Sequence, residues 1–153
     1  MNPLREVAVV GAGTMGAGIA FVFVDAGALV RLCARREASL EAARGRLGEA
    51  AARMRLTTSS EEALEGAGLV VESIVEALEP KRALLARAEV LASPDAILTS
   101  NTSSLPLAAL AEGLRRPERF AGLHWFNPPE LVELVEGSFR WQPGWVYTLA
   151  IDA

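Results

Sequence analysis

A glycine-rich loop near the start of the chain limits the choice of fold more than any other feature. Residues 7–10 are four consecutive apolar residues, which predict a buried strand. The pattern Gly-x-Gly-x-x-Gly follows at once, at Gly11, Gly13 and Gly16, and helix-forming residues come after it. This strand–loop–helix order predicts the start of a dinucleotide-binding βαβ unit rather than a chance glycine-rich turn.

Each position of this loop has a physical reason. Gly11 allows a tight turn, Gly13 lets the backbone approach a pyrophosphate, and Gly16 lets the helix pack close to the strand. The free amides at the helix start, those of Thr14 and Met15 included, meet the phosphate charge together with the helix dipole. The five residues are therefore candidate cofactor contacts.

Composition narrows the class of protein further. The chain has 153 residues, 51% of them hydrophobic, which suits one globular domain. Its net charge is −4 and it has no basic block, which argues against nucleic acid or an anionic membrane as a partner.

The single cysteine, Cys33, lies in an apolar stretch with no metal-ligand cluster around it, so we expect a small buried hydrophobe and no metal site. No run approaches the ~18 apolar residues of a membrane span, and no signal peptide is evident, so we expect a cytoplasmic protein.

Predicted strands and helices alternate along the chain. Strands are predicted at residues 7–10, 29–34, 56–58, 69–74, 96–100 and 120–126, with a last one at 131–135. Helices are predicted at residues 17–26, 37–55, 60–66, 80–92 and 105–114. This alternation predicts an α/β fold, a doubly wound parallel sheet of the Rossmann type covered on both faces.

Polar residues cluster where the predicted strands end. Arg35 and Arg36 follow the second strand, Glu76 follows the fourth, residues 101–104 follow the fifth, and residues 124–127 end the sixth. Because ligands of such sheets bind at the carboxyl ends of the strands, four strand ends converge on one cleft.

Four segments with this spacing resemble the NAD-binding domain of the 3-hydroxyacyl-CoA dehydrogenases. They are Gly-Ala-Gly-Thr-Met-Gly at 11–16, Val-Val-Glu-Ser-Ile-Val-Glu at 70–76, Thr-Ser-Asn-Thr-Ser-Ser-Leu at 99–105, and Gly-Leu-His-Trp-Phe-Asn-Pro at 122–128 with Leu-Val-Glu at 134–136. The resemblance covers about residues 5–136, and the Ser-Asn-Thr-Ser-Ser and His-x-Phe-Asn-Pro segments are its most specific part. We therefore expect residues 1–136 to form the dinucleotide-binding domain.

The resemblance implies a role for each matching residue. His124 corresponds to the catalytic base, Glu136 to the acid paired with it, and Ser103 and Asn127 to residues that hold the substrate's 3-hydroxyl or 3-keto oxygen. The implied cofactor contacts are Gly11, Gly13, Thr14, Met15, Gly16, Ala34, Arg35, Glu76, Lys81 and Asn101. Such a site would interconvert 3-hydroxyacyl-CoA and 3-ketoacyl-CoA: the nicotinamide cofactor takes the hydride and the imidazole takes the hydroxyl proton.

Simpler interpretations of the catalytic candidates stand beside these roles. His124 is equally explained as a hydrogen-bonded core histidine, and Glu136 as a solvated carboxylate at a strand end. Ser103 and Ser104 suit the N-cap of a helix that begins at Leu105.

The remaining candidates have ordinary explanations too. Asn127 before Pro128 is a normal strand terminator. Lys81 suits a first-turn surface lysine, and Glu76 an acid at a helix start.

The sequence departs from the family at the end of the second strand. A carboxylate usually follows this strand and accepts the ribose 2′-hydroxyl, but here the position is Ala34, followed by Arg35 and Arg36. The missing acid removes a repulsion against a 2′-phosphate, which arginine binds bidentately. We therefore expect NAD as the cofactor, with NADP as a specific hypothesis; the alternative is that the two arginines are a solvated loop.

Two further departures concern the substrate. The segment 35–59 lacks the longer helical excursion that contacts coenzyme A in the family. Residues 137–153, with Trp141, Trp145 and Tyr147, do not resemble the helical domain that closes the family's cleft. We expect this aromatic tail to pack on the sheet or to contact another chain, as a homo-oligomer or with a partner subunit, and we expect no second domain. Two alternatives to a dehydrogenase of 3-hydroxyacyl-CoA remain: a nucleotide-binding module without turnover, and a dehydrogenase of small hydroxy acids.

Overall fold

The computed structural model describes residues 5–132, 134–139 and 146–150, and its centre is one eight-stranded sheet. The strands are β1 (Glu6–Val10), β2 (Leu29–Cys33), β3 (Arg55–Thr57), β4 (Leu69–Glu72), β5 (Ile97–Ser100), β6 (Phe120–Trp125), β7 (Leu134–Phe139) and β8 (Val146–Ala150). Their order is β3-β2-β1-β4-β5-β6-β7-β8. Strands β1 to β6 are parallel, whereas β7 and β8 each pair antiparallel with their neighbours. The predicted doubly wound parallel sheet is confirmed, with an antiparallel extension.

Helices cover both faces of this sheet. They are α1 (Thr14–Asp25), α2 (Glu37–Leu47), α3 (Ser60–Leu64), α4 (Leu78–Leu91) and α5 (Leu107–Leu110), with 3₁₀ turns at Gly48–Arg53 and Pro117–Arg119. Alternate residues of β1 enter two different cores, because successive side chains of a strand point to opposite faces. Val7 and Val9 pack with α1 and α2, whereas Ala8 and Val10 pack with α3, α4 and α5.

The order of the strands places the ligand-binding edge. The chain leaves β1 toward β2 and β3, then crosses back to β4 on the other side of β1. Ligands bind where the strand order reverses, at the carboxyl ends of the strands, which here means the ends of β1 and β4. The glycine loop follows β1 at this point.

Several predicted boundaries were wrong for local reasons. The helix predicted over 37–55 ends at Leu47, because Gly48 has a φ of +55° and the chain continues as a 3₁₀ turn. Strand β4 ends at Glu72 rather than at residue 74, and the Glu72 carboxylate accepts the amide of Ile74 in the turn that follows. The helix predicted over 105–114 is only Leu107–Leu110. Helices α1 and α4 start three and two residues earlier than predicted, at Thr14 and Leu78.

The strand predicted over 131–135 lies at Leu134–Phe139, so it crosses the predicted domain boundary at residue 136. Residues Val146–Ala150 of the tail form β8, which is hydrogen-bonded to β7. Trp141 and Trp145 lie outside the described residues, so the predicted packing of the aromatic tail stays a prediction.

Cys33 is 3% exposed, and the prediction of a small buried hydrophobe is confirmed. Burial, with a smaller contribution from the charge of Glu62, raises the pKa of its thiol. In the ranges that the structure describes, no helix has the length and apolar character needed to cross a membrane.

Candidate functional site

The glycine loop has the geometry that its sequence predicts. Gly11 has a φ of +113°, and a Cβ there would lie 2.1 Å from the carbonyl oxygen of Ser73 in the loop after β4. A Cβ on Gly16 would lie 1.7 Å from the carbonyl oxygen of Gly11. These two glycines are required by close approaches within the protein.

Gly13 differs from the other two glycines of the motif. Its φ is −68°, which any residue adopts, and a Cβ built on it meets nothing within 4 Å. No contact within the described protein therefore requires a glycine here. A glycine that packing does not require leaves room for another group to approach the backbone, and Gly13 is the residue before the first turn of α1, where free amides suit a phosphate.

A cleft of about 750 Å³ opens beside this loop, over the ends of β1, β2 and β4. One wall, formed by residues after β4 and on α4, is mostly apolar. The other wall is formed by the ends of β2 and β3 and by α2. Four arginines line the cleft, Arg35, Arg36, Arg46 and Arg87, and none of the described lining residues is acidic. The volume, the open space at Gly13 and the positive lining fit the adenosine and pyrophosphate parts of a dinucleotide.

Glu76 organises the loop after β5. Its Oε1 accepts hydrogen bonds from the Thr102 hydroxyl (2.5 Å), the amides of Ser103 (3.1 Å) and Ser104 (3.3 Å), and the Ser104 hydroxyl (3.1 Å). Burial raises its pKa, but the hydrogen bond from Thr102, the hydrogen bond and charge of Lys81, and the bond from Ser104 outweigh burial and lower the pKa of Glu76 to about 2. Glu76 lies two residues before α4, but its carboxylate is bonded to the loop after β5. The explanation as an acid at a helix start therefore does not account for its contacts.

The alternative explanation of Ser103 and Ser104 as helix caps is wrong. Helix α5 begins at Leu107, its N-cap is Pro106, and no side chain caps it. The two serines are exposed on the loop that Glu76 holds, and Thr102 accepts the amide of Leu105 instead.

Lys81 lies beneath this loop in a buried ion pair. It is 1% exposed, and its Nζ donates to Glu72 Oε1 (2.6 Å) and Oε2 (2.8 Å), with Glu76 Oε2 3.2 Å away. Ser100 donates to the same Glu72 carboxylate. The alternative of a solvated surface lysine is therefore wrong. In this structure the Lys81 ammonium group forms an ion pair with Glu76. The predicted contact between Lys81 and the cofactor stays a prediction.

Asn101 joins three strand ends. Its amide nitrogen donates to the Ser73 hydroxyl (3.4 Å) after β4, and its carbonyl oxygen accepts the backbone N–H of Trp125 (2.9 Å) at the end of β6. Its backbone N–H donates to the backbone carbonyl oxygen of Glu72 (2.8 Å). The residue thus ties β4, β5 and β6 together at the ligand-binding edge.

His124 and Glu136 face each other across β6 and β7. They are partners in the antiparallel register, and Nδ1 of the imidazole lies 3.5 Å from Oε2 of the carboxylate. Their side chains are 33% and 42% exposed, so both reach solvent at the sheet edge. The interpretation of His124 as a buried core residue is therefore wrong. The separation is longer than that of a well-formed hydrogen bond.

Asn127 is exposed just beyond the end of β6, and the segment after it returns over α1. A Cβ on Gly18 of α1 would lie 2.6 Å from Glu130 Oε2 and 2.9 Å from Pro129 Cδ. The small residue at position 18 therefore lets the β6–β7 connection approach the helix that starts at the glycine loop.

Three supporting residues were not predicted from the sequence: Glu72, Thr102 and Arg46. Arg46 on α2 donates to the carbonyl oxygen of Ala12 in the glycine loop (2.8 Å). Only Glu72 had a signal in the sequence, since a carboxylate in the apolar run of a central strand needs a buried partner and Lys81 is the only lysine of the chain.

The fold and the cleft define a dinucleotide-binding domain with a histidine–carboxylate pair at the far end of its sheet edge. The family model described as "3-hydroxyacyl-CoA dehydrogenase, NAD binding domain" matches residues 6–54 and 45–138. The chain belongs to this family of NAD-binding domains.

Known relatives agree with this assignment. The 3-hydroxyadipyl-CoA dehydrogenase of Escherichia coli K12 is 38% identical over 89% of this chain and 32% of its own length. The crystal structure of 3-hydroxybutyryl-CoA dehydrogenase from Escherichia coli K12 superposes with a TM-score of 0.79 at 38% identity, over 87% of this chain and 32% of that one. An NAD+-dependent dismutase, a dehydrogenase of a formyl-hydroxy-methylpyridine carboxylic acid, superposes with a TM-score of 0.81 at 30% identity, over 87% of this chain and 48% of its own. The chain thus spans between a third and a half of the length of these relatives.

Proposed function

We propose that this chain carries the cofactor site and the catalytic base of a dehydrogenase that interconverts 3-hydroxyacyl-CoA and 3-ketoacyl-CoA with NAD or NADP. The observation that carries the proposal is the His124–Glu136 pair, which lies at the same sheet edge as the glycine loop. A base beside a hydride acceptor is what the oxidation of a secondary alcohol requires.

The cofactor supplies one half of the chemistry, because it accepts the hydride from C3 of the substrate. The protein supplies the other half. The free imidazole nitrogen of His124 takes the proton of the 3-hydroxyl group, and Glu136 holds Nδ1 and stabilises the imidazolium that forms. In the reverse direction the same imidazolium returns the proton to the 3-keto oxygen.

Ser103 and Asn127 are the proposed donors to the substrate's 3-oxygen. Glu76 accepts the amide of Ser103 and so fixes the position of that loop, while Asn101 fixes the end of β6 from which His124 and Asn127 extend. Donors that are held in place before reaction stabilise developing charge without reorganisation.

One observation favours a second candidate, a dehydrogenase of small hydroxy acids. Between β2 and β3 the chain forms only α2 and one 3₁₀ turn, without the longer helical excursion expected to contact coenzyme A. The structural similarity to a dehydrogenase of a pyridine carboxylic acid agrees with a substrate that lacks coenzyme A.

The third candidate is a binding module without turnover. A cytoplasmic location and association through the aromatic tail also remain proposals, tested by cell fractionation and size-exclusion chromatography.

The test follows the nicotinamide absorbance with each reduced cofactor and either acetoacetyl-CoA or free acetoacetate. We expect turnover with acetoacetyl-CoA, and we expect His124→Gln to lower kcat by roughly 10²–10⁴-fold while cofactor affinity and the melting temperature stay unchanged. Turnover with free acetoacetate alone favours the second candidate. Cofactor binding without turnover favours the third, and full activity of His124→Gln contradicts the proposed base.

A further inference from the structure

The adenosine end of the cleft is formed by the residues that follow β2 and β3. Ala34, Arg35 and Arg36 come directly after β2, Thr58 and Ser60 follow β3, and all five line the cleft. The position that usually holds a ribose-binding carboxylate is Ala34. Ala34 is 7% exposed, and its backbone N–H donates to the backbone carbonyl oxygen of Thr57 (3.2 Å). No lining residue of this cleft supplies a carboxylate in its place.

The four arginines of the cleft are in different electrostatic situations. Arg87 forms an ion pair with Glu61, and Arg46 donates to the carbonyl oxygen of Ala12. Arg35 and Arg36 are exposed, and neither forms an ion pair with a carboxylate in the part of the chain that the structure describes. Two cations that have no charged partner among the described residues therefore lie where the ribose of the adenosine is expected.

A ribose 2′-hydroxyl and a 2′-phosphate need opposite surroundings. The hydroxyl is best recognised by a carboxylate, which would repel a phosphate, whereas guanidinium groups bind phosphate with paired, charge-assisted hydrogen bonds. The hydroxyls of Thr58 and Ser60 add neutral donors at the same end. Specificity of this kind comes as much from the missing repulsion as from the new attraction.

We infer that the site prefers a 2′-phosphorylated dinucleotide, NADP, and that Arg35 and Arg36 bind the 2′-phosphate. This inference rests on the proposed dinucleotide site but concerns its adenosine end alone, away from His124 and Glu136. Arg46 and Arg87 have no part in it, because Arg46 donates to the glycine loop and Arg87 is paired with Glu61.

The test measures binding rather than turnover. Titration calorimetry with NADPH, NADH, 2′,5′-ADP and 5′-AMP separates the contribution of the 2′-phosphate from that of the nicotinamide half. We expect NADPH to bind at least tenfold more tightly than NADH, and 2′,5′-ADP to bind more tightly than 5′-AMP, with the difference shrinking as salt is raised.

Variants locate the effect. Arg35→Ser and Arg36→Ser should each lower NADPH affinity several-fold and lower NADH affinity much less, and Ala34→Asp should reverse the preference. The matched control is Arg44→Ser: Arg44 is also an exposed arginine, on α2, but it is paired with Glu41 and is not part of the cleft lining. It should change neither affinity.

The results distinguish failure of this inference from failure of the proposed function. NADH binding as tightly as NADPH, or equal losses for both cofactors in the arginine variants, overturns the inference and leaves the dinucleotide site intact. If the folded chain binds neither dinucleotide and neither adenosine nucleotide, the proposed function fails together with the inference.

Discussion

The two ends of the ligand-binding edge of the sheet are built in opposite ways. At the end formed after β4 and β5, the charged groups are bonded to one another: Lys81 to Glu72 and Glu76, and Glu76 to the loop of Ser103. At the adenosine end, Arg35 and Arg36 point to no charged partner within the described residues.

This difference separates positioning from recognition. Groups that internal hydrogen bonds hold in one geometry suit the positioning of other residues, whereas cations without a described charged partner suit the binding of a charged ligand. Changes at the bonded end should therefore lower stability, and changes at the arginine end should lower affinity while stability stays the same.

The largest expected effect tests the bonded end. Lys81→Met leaves the carboxylate of Glu72, which is 0% exposed, without its counter-charge, and removal of one partner of a buried pair costs about 3–5 kcal/mol. Urea unfolding measures this loss. Arg82→Met on the same helix is the control, because its ion pairs with Glu79 and Glu112 lie at the surface and contribute at most ~1 kcal/mol.

A double variant separates charge from packing. If the loss comes from the stranded carboxylate, adding Glu72→Gln to Lys81→Met should recover part of the stability. A Lys81→Met variant as stable as Arg82→Met would show that the buried pair does not support this end of the sheet edge.

The glycine loop lies between the two ends and offers a comparison within one motif. Gly16→Ala places a methyl group 1.7 Å from a backbone oxygen, and this overpacking should cost roughly 1–3 kcal/mol or more. Gly13→Ala meets nothing within 4 Å, so its stability should change by less than about 0.5 kcal/mol.

Binding should rank these two variants differently. Because the backbone at Gly13 is the proposed approach of the pyrophosphate, Gly13→Ala should lower dinucleotide affinity at least tenfold despite its native stability. Unfolding curves and dinucleotide titrations on the same samples check both parts. Unchanged affinity in Gly13→Ala would remove the reason for a glycine at that position.

The smallest effect concerns acid stability. The pKa of Glu76 falls from an ordinary value of 4.5 to about 2 on folding, so the native protein binds fewer protons here than the unfolded chain. Its contribution is complete above about pH 4.5 and is lost as the pH falls toward 2. Glu76→Gln should flatten the stability curve in this window, by on the order of 1 kcal/mol because solvent screens a carboxylate this exposed.

The control for this variant is Glu79→Gln, in the first turn of α4, whose carboxylate lies at the surface and pairs only with Arg82 among the described residues. Thermal unfolding between pH 2 and pH 7 compares the two. Equal curves for both variants would contradict the special role of Glu76.

Much of the fold could be predicted because its signals are local. The apolar run at residues 7–10, the glycine spacing and the alternation of strand and helix patterns predict the sheet and the edge where its ligand binds. Boundaries were less predictable: α2 ends where Gly48 adopts a positive φ, and after β4 the Glu72 side chain accepts the amide of Ile74, a contact that the apolar pattern does not reveal.

The candidate site divides in the same way. The sequence identified the residue types of the site: glycines that only a turn or a close approach explains, arginines in place of an acid, and the histidine and carboxylate of the resemblance. The tertiary structure decided which of these charges are paired. It buried Lys81 against Glu72, aligned His124 with Glu136 through an antiparallel register, and left Arg35 and Arg36 without a described ion pair. The physical reason is that the energy of a charge depends on its burial and its partners, and these come from strands and helices far apart in the chain.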